Sequence, residues 1–263
     1  MVKLIASDID GTLIPYGGSA VEPELFDLIR QLRRRDILFC PASGRQFHSL
    51  RQLFAPVAEE ICFLCENGAI LYGPGTEERA PVLAKTVMPR RESLALAEDI
   101  LNLEGCQVLI SGANTGYVCT DRNGFIHYLR EDRNNNIRLL STPEAITEDI
   151  LKVSAYCPAG TAGPLAALGP RWGEALHMAA AGPDWVDFTL ADKGHGLEQL
   201  CAALGIAARD AMAFGDNWND EAMLRTAGTP YLMDTADAAL RERFPRQCSS
   251  VAAVLRSLLD NGI

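Results

Sequence analysis

Two carboxylates stand two positions apart near the start of the chain, in the segment Asp-Ile-Asp-Gly-Thr-Leu at residues 8–13. The apolar run at 2–7 before them predicts a buried parallel strand, and doubly wound sheets bind their ligands beyond the carboxyl ends of such strands. On a loop turned by Gly11, Asp8 and Asp10 can face one small space. One carboxylate can then act as a nucleophile, while the other protonates a leaving oxygen and later deprotonates water. Taken alone, the motif also fits an acidic turn that merely caps a strand.

A second acidic segment, Gly-Asp-Asn-Trp-Asn-Asp at residues 215–220, directly follows the apolar run 211–214. Mg²⁺ prefers hard oxygen ligands, usually one or two carboxylates together with phosphate oxygen and water. Asp8 and Asp216 can supply such carboxylates. The other interpretation is a helix cap in which Asn219 opens the next helix, and both interpretations can hold at once.

Two shorter segments carry groups that suit a phosphate. They are Ser-Gly-Arg at 43–45, after the second predicted strand, and Lys-Gly at 193–194, before a predicted helix. The hydroxyl of Ser43, the backbone N–H of Gly44 and the ammonium of Lys193 are suitable for holding phosphoryl oxygens. Each segment alone is a weak signal, because a Lys-Gly pair before a helix usually lies on a surface.

The elements that must position these residues alternate between apolar runs and helical patterns. In the first part of the chain, the pattern predicts helices at 22–35 and 46–54 and strands at 37–40 and 61–65. The same rhythm returns after Gly194, with a helix to 204, a strand at 211–214, a helix from 219 and a terminal helix from 249. This alternation predicts an α/β fold with a doubly wound parallel sheet.

The pattern changes after about residue 72, where Gly-Pro-Gly at 73–75 indicates a turn. Short strands predicted at 107–110, 116–120 and 125–129 are closely spaced, as in antiparallel hairpins. Helices are predicted at 92–103 and after Thr142-Pro143. We therefore expect a core domain at 1–80 and 188–263, with an α+β domain inserted at 81–187.

Together, the four polar segments resemble the haloacid dehalogenase superfamily, and the resemblance covers the whole chain. It implies that Asp8 is the nucleophile and Asp10 the general acid and base, while Ser43 and Lys193 bind the phosphoryl group. In this superfamily a late acidic pair completes a Mg²⁺ site. The implied metal ligands are Asp8, Asp216, Asp220 and, through its backbone carbonyl, Asp10.

The segment Glu-Asn-Gly-Ala at 66–69 resembles the Asn-Gly-Ala segment of the Cof-type branch, subclass IIB. That branch carries an α+β cap between its second and third motifs, which agrees with the change of pattern in the middle of the chain. The residues predicted to bind substrate are Gly44, Arg45, Asn67 and Asn219.

Two positions depart from the usual Cof-type pattern. Met-Asp-Thr-Ala at 233–236 replaces Met-Gly-Asn-Ala, and Asp234 can act there as a helix N-cap. Trp218 is bulky for its position, and packing on a helix is favoured over narrowing of the site's entrance.

The function implied by the resemblance is magnesium-dependent hydrolysis of a small phosphate monoester through an aspartyl phosphate, by a phosphoric monoester hydrolase. The implied substrates include sugar phosphates, pyridoxal phosphate and flavin mononucleotide. A phosphotransferase similar to sugar phosphomutases and a non-catalytic phosphoester-binding regulatory protein on the same fold remain alternatives. The second is disfavoured because a binding protein needs no nucleophile beside an acid and base. A dehalogenase is disfavoured because halide leaves without a proton.

Composition and charge disfavour several classes of partner. The chain has 263 residues and a formal net charge of −10, which disfavours nucleic acids and anionic membranes. No signal peptide or membrane-spanning run is visible in the sequence. Most of the eight cysteines lie in apolar runs, as buried free thiols of a cytoplasmic protein do. Cys62 and Cys65 have zinc-like spacing, but no second pair accompanies them, so strand thiols are expected. The sequence makes no prediction of oligomeric state.

Overall fold

The structure is a computed structural model that describes residues 1–261. Its strands are β1 (Leu4–Ser7), β2 (Leu38–Pro41), β3 (Phe63–Cys65), β4 (Ile70–Tyr72), β5 (Val82–Lys85), β6 (Gln107–Ser111), β7 (Gly116–Val118), β8 (Ile137–Leu139), β9 (Lys152–Tyr156), β10 (Ala179–Ala180), β11 (Trp185–Phe188), β12 (Ala211–Gly215), β13 (Thr229–Met233) and β14 (Gln247–Cys248). Its α-helices are α1 (Pro23–Arg33), α2 (Phe47–Leu53), α3 (Arg90–Leu101), α4 (Phe125–His127), α5 (Ala162–Trp172), α6 (Lys193–Leu204), α7 (Glu221–Thr226), α8 (Ala238–Arg241) and α9 (Val251–Asp260).

The described chain divides into two compact units. The first unit contains residues 1–45, residues 50–85 and the chain from residue 191 onward, and the second contains residues 46–49 and 86–190. Among the described residues, no helix combines the length and the apolar character that crossing a membrane requires.

The first unit is built on a five-stranded parallel sheet with the strand order β14-β13-β12-β1-β2. Within β1, Leu4 and Ala6 are fully buried and pack in one cluster with Leu197 of α6 and Leu224 of α7. The four-residue strand is buried throughout, as its continuous apolar sequence predicts. The predicted α/β fold with a parallel sheet is confirmed.

The third predicted strand, β3, was expected to belong to the parallel sheet, but it belongs to a different sheet. It pairs along its length with β4 in a three-stranded antiparallel sheet, β3-β4-β5. A single bridge between Ala42 and Leu64 and two flanking backbone hydrogen bonds of 3.0 Å join it to the end of β2. The reason is the turn at 66–68, where three successive residues have positive φ angles and reverse the chain after only three strand residues.

The second unit contains a six-stranded sheet with the order β10-β11-β9-β6-β7-β8, antiparallel except for the β7–β8 pair. One face carries alternate apolar residues such as Val108, Val153 and Val186, which are buried with Leu96 of α3 and Leu168 of α5. This alternation follows from the two-residue period of a strand.

Two predictions in this unit are wrong. Residues 125–129 form α4 and the start of a π-helical turn, not a strand. Gly124 has a left-handed φ of 73°, which ends the extended chain, and the helical spacing then buries Phe125 and Leu129 in one cluster. The helix predicted after Thr142-Pro143 is a single 3₁₀ turn, because the chain is already extended at Ile146.

Candidate active site

Three carboxylates converge where two neighbouring strands of the parallel sheet end. Asp8 follows β1, Asp216 follows β12, and the backbone N–H of Asp8 donates to the carbonyl oxygen of Phe214 at 2.9 Å. Asp220 joins them from the short helical turn at 218–220. All three side chains are buried, and each offers an oxygen within 4.8 Å of the others.

Lys193, the first residue of α6, lies against two of these carboxylates. Its ammonium donates to Oδ1 of Asp8 and, at 2.6 Å, to Oδ1 of Asp220. The lysine is only 1% exposed. Burial alone would lower its pKa, but Asp220 and Asp8 hold that pKa above its ordinary value. Lys193 therefore remains an ammonium ion and fixes both carboxylates in place.

Burial raises the pKa of Asp8 above its ordinary value, and the ammonium of Lys193 opposes this rise. The neighbouring negative charges of Asp220 and Asp216 add to the rise. Three carboxylates with one ammonium leave a formal charge of −2, so the cluster holds more negative charge than its protein partners neutralise. A divalent cation would balance this charge, and carboxylate oxygens are the ligands that Mg²⁺ prefers. The donor set fits such an ion.

Asp220 also shapes the loop that carries Asp216. Its Oδ2 accepts the backbone N–H groups of Asp216, at 3.1 Å, and of Asn217, at 3.2 Å. The cap of this turn is a reciprocal capping box between Asn217 and Asp220. The expectation that Asn219 is the capping residue is therefore wrong.

Asp216 is held on both of its oxygens by hydroxyl groups. Thr12 donates to Oδ1 at 3.0 Å, and Tyr16 donates to Oδ2 at 2.5 Å. The bond to Asp216 raises the pKa of the Tyr16 phenol above its ordinary value. Gly11 passes so close that a Cβ there would lie 2.2 Å from Oδ2 of Asp216. Only glycine fits this approach, which also requires a φ of 97°.

Asp10 lies outside the buried cluster. Its side chain is 54% exposed and accepts two hydrogen bonds from the guanidinium of Arg45, at 3.1 Å from Nε and 2.6 Å from Nη2. Such a two-point pair fixes the plane of the carboxylate as well as its position. Arg45 was predicted to bind substrate, and in this structure it orients Asp10.

The other predicted phosphate-binding residues follow β2. The backbone N–H of Asn67 donates to the carbonyl oxygen of Ser43 at 2.9 Å, and a Cβ on Gly44 would lie 3.0 Å from the Asn67 side chain. Ser43, Gly44 and Asn67 are thus neighbours, with Asn67 in the left-handed conformation. Asn219 is exposed on the turn at 218–220 and is not part of that group.

The two departures from the Cof-type pattern also have defined surroundings. Trp218 is partly exposed, and the guanidinium of Arg243 lies 4.8 Å from the centre of its ring. Asp234 is not a helix N-cap, since Asp237 caps α8 by accepting the N–H of Ala239 at 2.8 Å. The cap lies three residues later because the chain makes a turn before α8 begins.

Sequence reasoning missed two contributors to this site. Thr12 was part of the recognised first motif, but no role was assigned to its hydroxyl. Tyr16 gave no signal, because an isolated tyrosine in a glycine-containing loop does not indicate which side chain it reaches.

Comparison with known proteins identifies the family. The model of haloacid dehalogenase-like hydrolases matches residues 5–253. The chain belongs to this family. Its relatives include the 5-amino-6-(5-phospho-D-ribitylamino)uracil phosphatase YbjI of Escherichia coli (strain K12), which is 25% identical over 249 residues, covering 91% of this chain and 88% of the relative. The HMP-PP phosphatase of Cronobacter sakazakii is 27% identical over 284 residues, covering 99% of this chain and 97% of the relative.

Solved structures agree with this assignment. A crystal structure from Eubacterium rectale superposes with a TM-score of 0.86 and 27% identity, covering 97% of this chain and 98% of that one. The HAD subclass IIB sugar phosphatase BT4131 shares the fold, with a TM-score of 0.76 and 19% identity, covering 97% and 98% of the two chains. The family resemblance drawn from the sequence is confirmed, and so is the predicted enzyme class, a hydrolase whose relatives are phosphatases.

Proposed function

We propose that this chain hydrolyses a small phosphate monoester through an aspartyl phosphate on Asp8, in a reaction that depends on Mg²⁺. The observation that carries the proposal is the buried group of three carboxylates around one ammonium ion, with a formal charge of −2. A nucleophilic carboxylate must be fixed and shielded from water. The contact with Lys193 fixes Asp8, and its burial shields it from water.

In the proposed first step, a carboxylate oxygen of Asp8 attacks phosphorus and the bond from phosphorus to the leaving oxygen breaks. Asp10 donates a proton to that leaving oxygen. In the second step, Asp10 takes a proton from a water molecule that attacks the aspartyl phosphate, which releases phosphate and restores Asp8. The half-exposed position of Asp10 supports this role, because a group that exchanges protons twice must reach both solvent and substrate.

We assign the metal to Asp8, Asp216 and Asp220, with the backbone carbonyl of Asp10. When bound, Mg²⁺ would offset the charge of the phosphoryl oxygens as the carboxylate attacks them. Ser43, Gly44 and Lys193 are proposed to hold the phosphoryl group, and Arg45, Asn67 and Asn219 to contact the substrate. Arg45 would do so from its position beside Asp10.

The proposed substrate is a small phosphorylated metabolite, such as a sugar phosphate or pyridoxal phosphate. Support comes from the relatives, which are named as phosphatases of a ribitylaminouracil phosphate and of HMP-PP. We propose that the inserted domain, 81–187, selects among such esters as a cap. A screen of phosphorylated metabolites with the full chain would identify the preferred one.

We also propose a cytoplasmic location. It is supported by the cysteines of the described chain, which are free and mostly buried. Burial raises the pKa of Cys62 to about 12, so this thiol is held in its unreactive protonated form.

Chelation tests the metal requirement. Hydrolysis of 4-nitrophenyl phosphate by the full chain is expected to stop in EDTA and to return with excess Mg²⁺. Asp216→Asn removes one ligand charge and should raise the half-activating Mg²⁺ concentration by at least about tenfold. Removing a group that only orients a metal ligand already costs about 10–100-fold in metal affinity.

The matched control is Asp27→Asn, which makes the same change at an exposed surface carboxylate and should leave the Mg²⁺ requirement unchanged. Full activity in chelator would contradict the metal assignment. Phosphoester binding without any release of nitrophenol would instead favour a non-catalytic binding protein.

A further inference from the structure

Tyr16 lies on an exposed loop beyond the first motif, yet its hydroxyl reaches a buried carboxylate. The residue is 71% exposed, whereas Asp216 is 5% exposed. The hydroxyl donates to Oδ2 of Asp216 at 2.5 Å. Because the side chain of Tyr16 is so exposed, burial of its ring contributes little to stability. Its hydrogen bond to Asp216 is therefore the contact that matters at this position.

The two hydroxyls on Asp216 act as a pair. Thr12 holds Oδ1 and Tyr16 holds Oδ2, so the carboxylate is fixed at both ends of its plane. Gly11 closes the space beside Oδ2 and also lies against the ring of Tyr16, where a Cβ would approach to 2.7 Å. Rotation of the Asp216 carboxylate would break at least one of these contacts.

Holding by hydroxyls leaves room for a metal. A carboxylate oxygen has two lone pairs, and each hydroxyl uses one of them. One lone pair on each oxygen of Asp216 therefore remains for a cation. Asp8 and Asp220 are oriented differently, by the ammonium of Lys193. Tyr16 and Thr12 thus orient Asp216, as Lys193 orients Asp8 and Asp220.

We infer that Tyr16 is a positioning residue of the metal centre, whose hydroxyl holds Asp216 in the orientation that binds a divalent cation. This inference rests on the metal site of the proposed function. Hydrogen bonds that orient a metal ligand typically change metal affinity by about 10–100-fold when they are removed.

Titration of metal-free protein with Mn²⁺ in a calorimeter tests the inference. The full chain carrying Tyr16→Phe, which loses only the hydroxyl, should bind Mn²⁺ about tenfold more weakly than the unaltered chain. The Mg²⁺ concentration for half-maximal hydrolysis by this variant should rise by the same factor. The double variant Tyr16→Phe/Asp216→Asn should bind Mn²⁺ no more weakly than Asp216→Asn alone, because the Tyr16 hydroxyl then has no carboxylate ligand to position.

Tyr117→Phe is the matched control. The Tyr117 hydroxyl also donates to a carboxylate at 2.5 Å, but that carboxylate is Glu148, in the second unit. This variant should bind Mn²⁺ as the unaltered chain does.

Three results would overturn the inference. Unchanged Mn²⁺ affinity in Tyr16→Phe would show that the hydroxyl does not position the ligand, and tighter binding would show that it competes with the cation. Absence of binding by the unaltered chain would overturn the metal site as well, so the failure of the proposed function is recognised before the variant is measured. Thermal unfolding should be nearly the same for Tyr16→Phe and the unaltered chain, since the residue is exposed.

Discussion

Asp8 and Asp10 are two positions apart in the chain, but their side chains have opposite surroundings. Asp8 is buried against Lys193, and Asp10 is half exposed and paired with Arg45. A buried, fixed carboxylate suits a nucleophile, and an exposed one suits proton exchange. The sequence predicted the two roles by resemblance, and the structure adds the difference in burial that allows them.

The role of Asp10 predicts a dependence on the leaving group. Asp10→Asn keeps the shape of the side chain but cannot transfer a proton, and general acid–base catalysis contributes roughly 10²–10⁴-fold. Attack on a sugar phosphate, whose alkoxide leaves poorly, should slow by about that factor. Attack on 4-nitrophenyl phosphate should slow much less, because nitrophenolate leaves without protonation. Single-turnover rates for both esters measure this, and equal slowing would contradict the assignment of Asp10.

At the residue scale, charged groups were easier to predict than the groups that orient them. The sequence singled out Asp8, Lys193, Asp216 and Asp220, and the structure brings their side chains together. The hydroxyl of Tyr16 was missed because its partner is 200 positions away in the chain. Such contacts depend on tertiary structure and leave no local pattern.

Among the elements, α6 positions the ammonium ion of the site, because its first residue is Lys193. Asp192 caps the helix by accepting the N–H of His195 at 2.8 Å. The turn at 66–68 packs directly on this end, where a Cβ on Gly68 would lie 2.3 Å from the carbonyl oxygen of Asp192. The absence of side chains on Gly68 and Gly196 allows this close approach.

Gly68→Ala should therefore damage both stability and catalysis. Its φ of 95° already strains any other residue, by about 1–3 kcal/mol, and the collision with Asp192 adds to this loss. The displaced helix end would move Lys193 away from Asp8, so kcat should fall. Urea unfolding and hydrolysis of 4-nitrophenyl phosphate measure the two effects.

Gly205→Ala is the control at the opposite end of α6. Gly205 also has a positive φ, of 66°, but a Cβ there would meet no heavy atom of another element of the described chain within 4 Å. This variant should lose about 1–2 kcal/mol from backbone strain and keep its kcat. If Gly68→Ala loses no more stability than Gly205→Ala and keeps its activity, the turn does not position Lys193.

Strands β1, β2 and β12 and the helices beside them were predictable, because the apolar runs are continuous and the helical spacing is regular. Strands β13 and β14 were not predicted, since β13 contains a proline and β14 has only two residues. The secondary structure of the second unit was harder to predict from the sequence. Residues 162–172 form α5 although the segment contains two glycines and two prolines, and β9 alternates polar and apolar residues that are all largely buried. In both cases packing in the unit's own core decides the structure, and local preference does not.

On the scale of the whole molecule, a net charge of −10 repels an anionic substrate, so the site must be less negative than the rest of the surface. Lys193 and Arg45 place two cationic groups among the carboxylates, and a bound divalent cation would add to them. The change of pattern after residue 72 indicated an inserted domain. The structure has a compact unit at 86–190 that contains its own apolar core. Its predicted role as a cap remains a proposal.

The central claim is that Asp8 becomes phosphorylated during turnover, and one measurement tests it most directly. The full chain carrying Asp10→Asn is mixed with 4-nitrophenyl phosphate and Mg²⁺, quenched in acid within the first turnover, and digested for mass spectrometry. Because this variant forms the aspartyl phosphate but hydrolyses it slowly, we expect a burst of nitrophenol matched by phosphoryl groups on the peptide that contains Asp8. A burst with no phosphorylated Asp8, or hydrolysis that persists in Asp8→Asn, would contradict the account and favour direct attack by water.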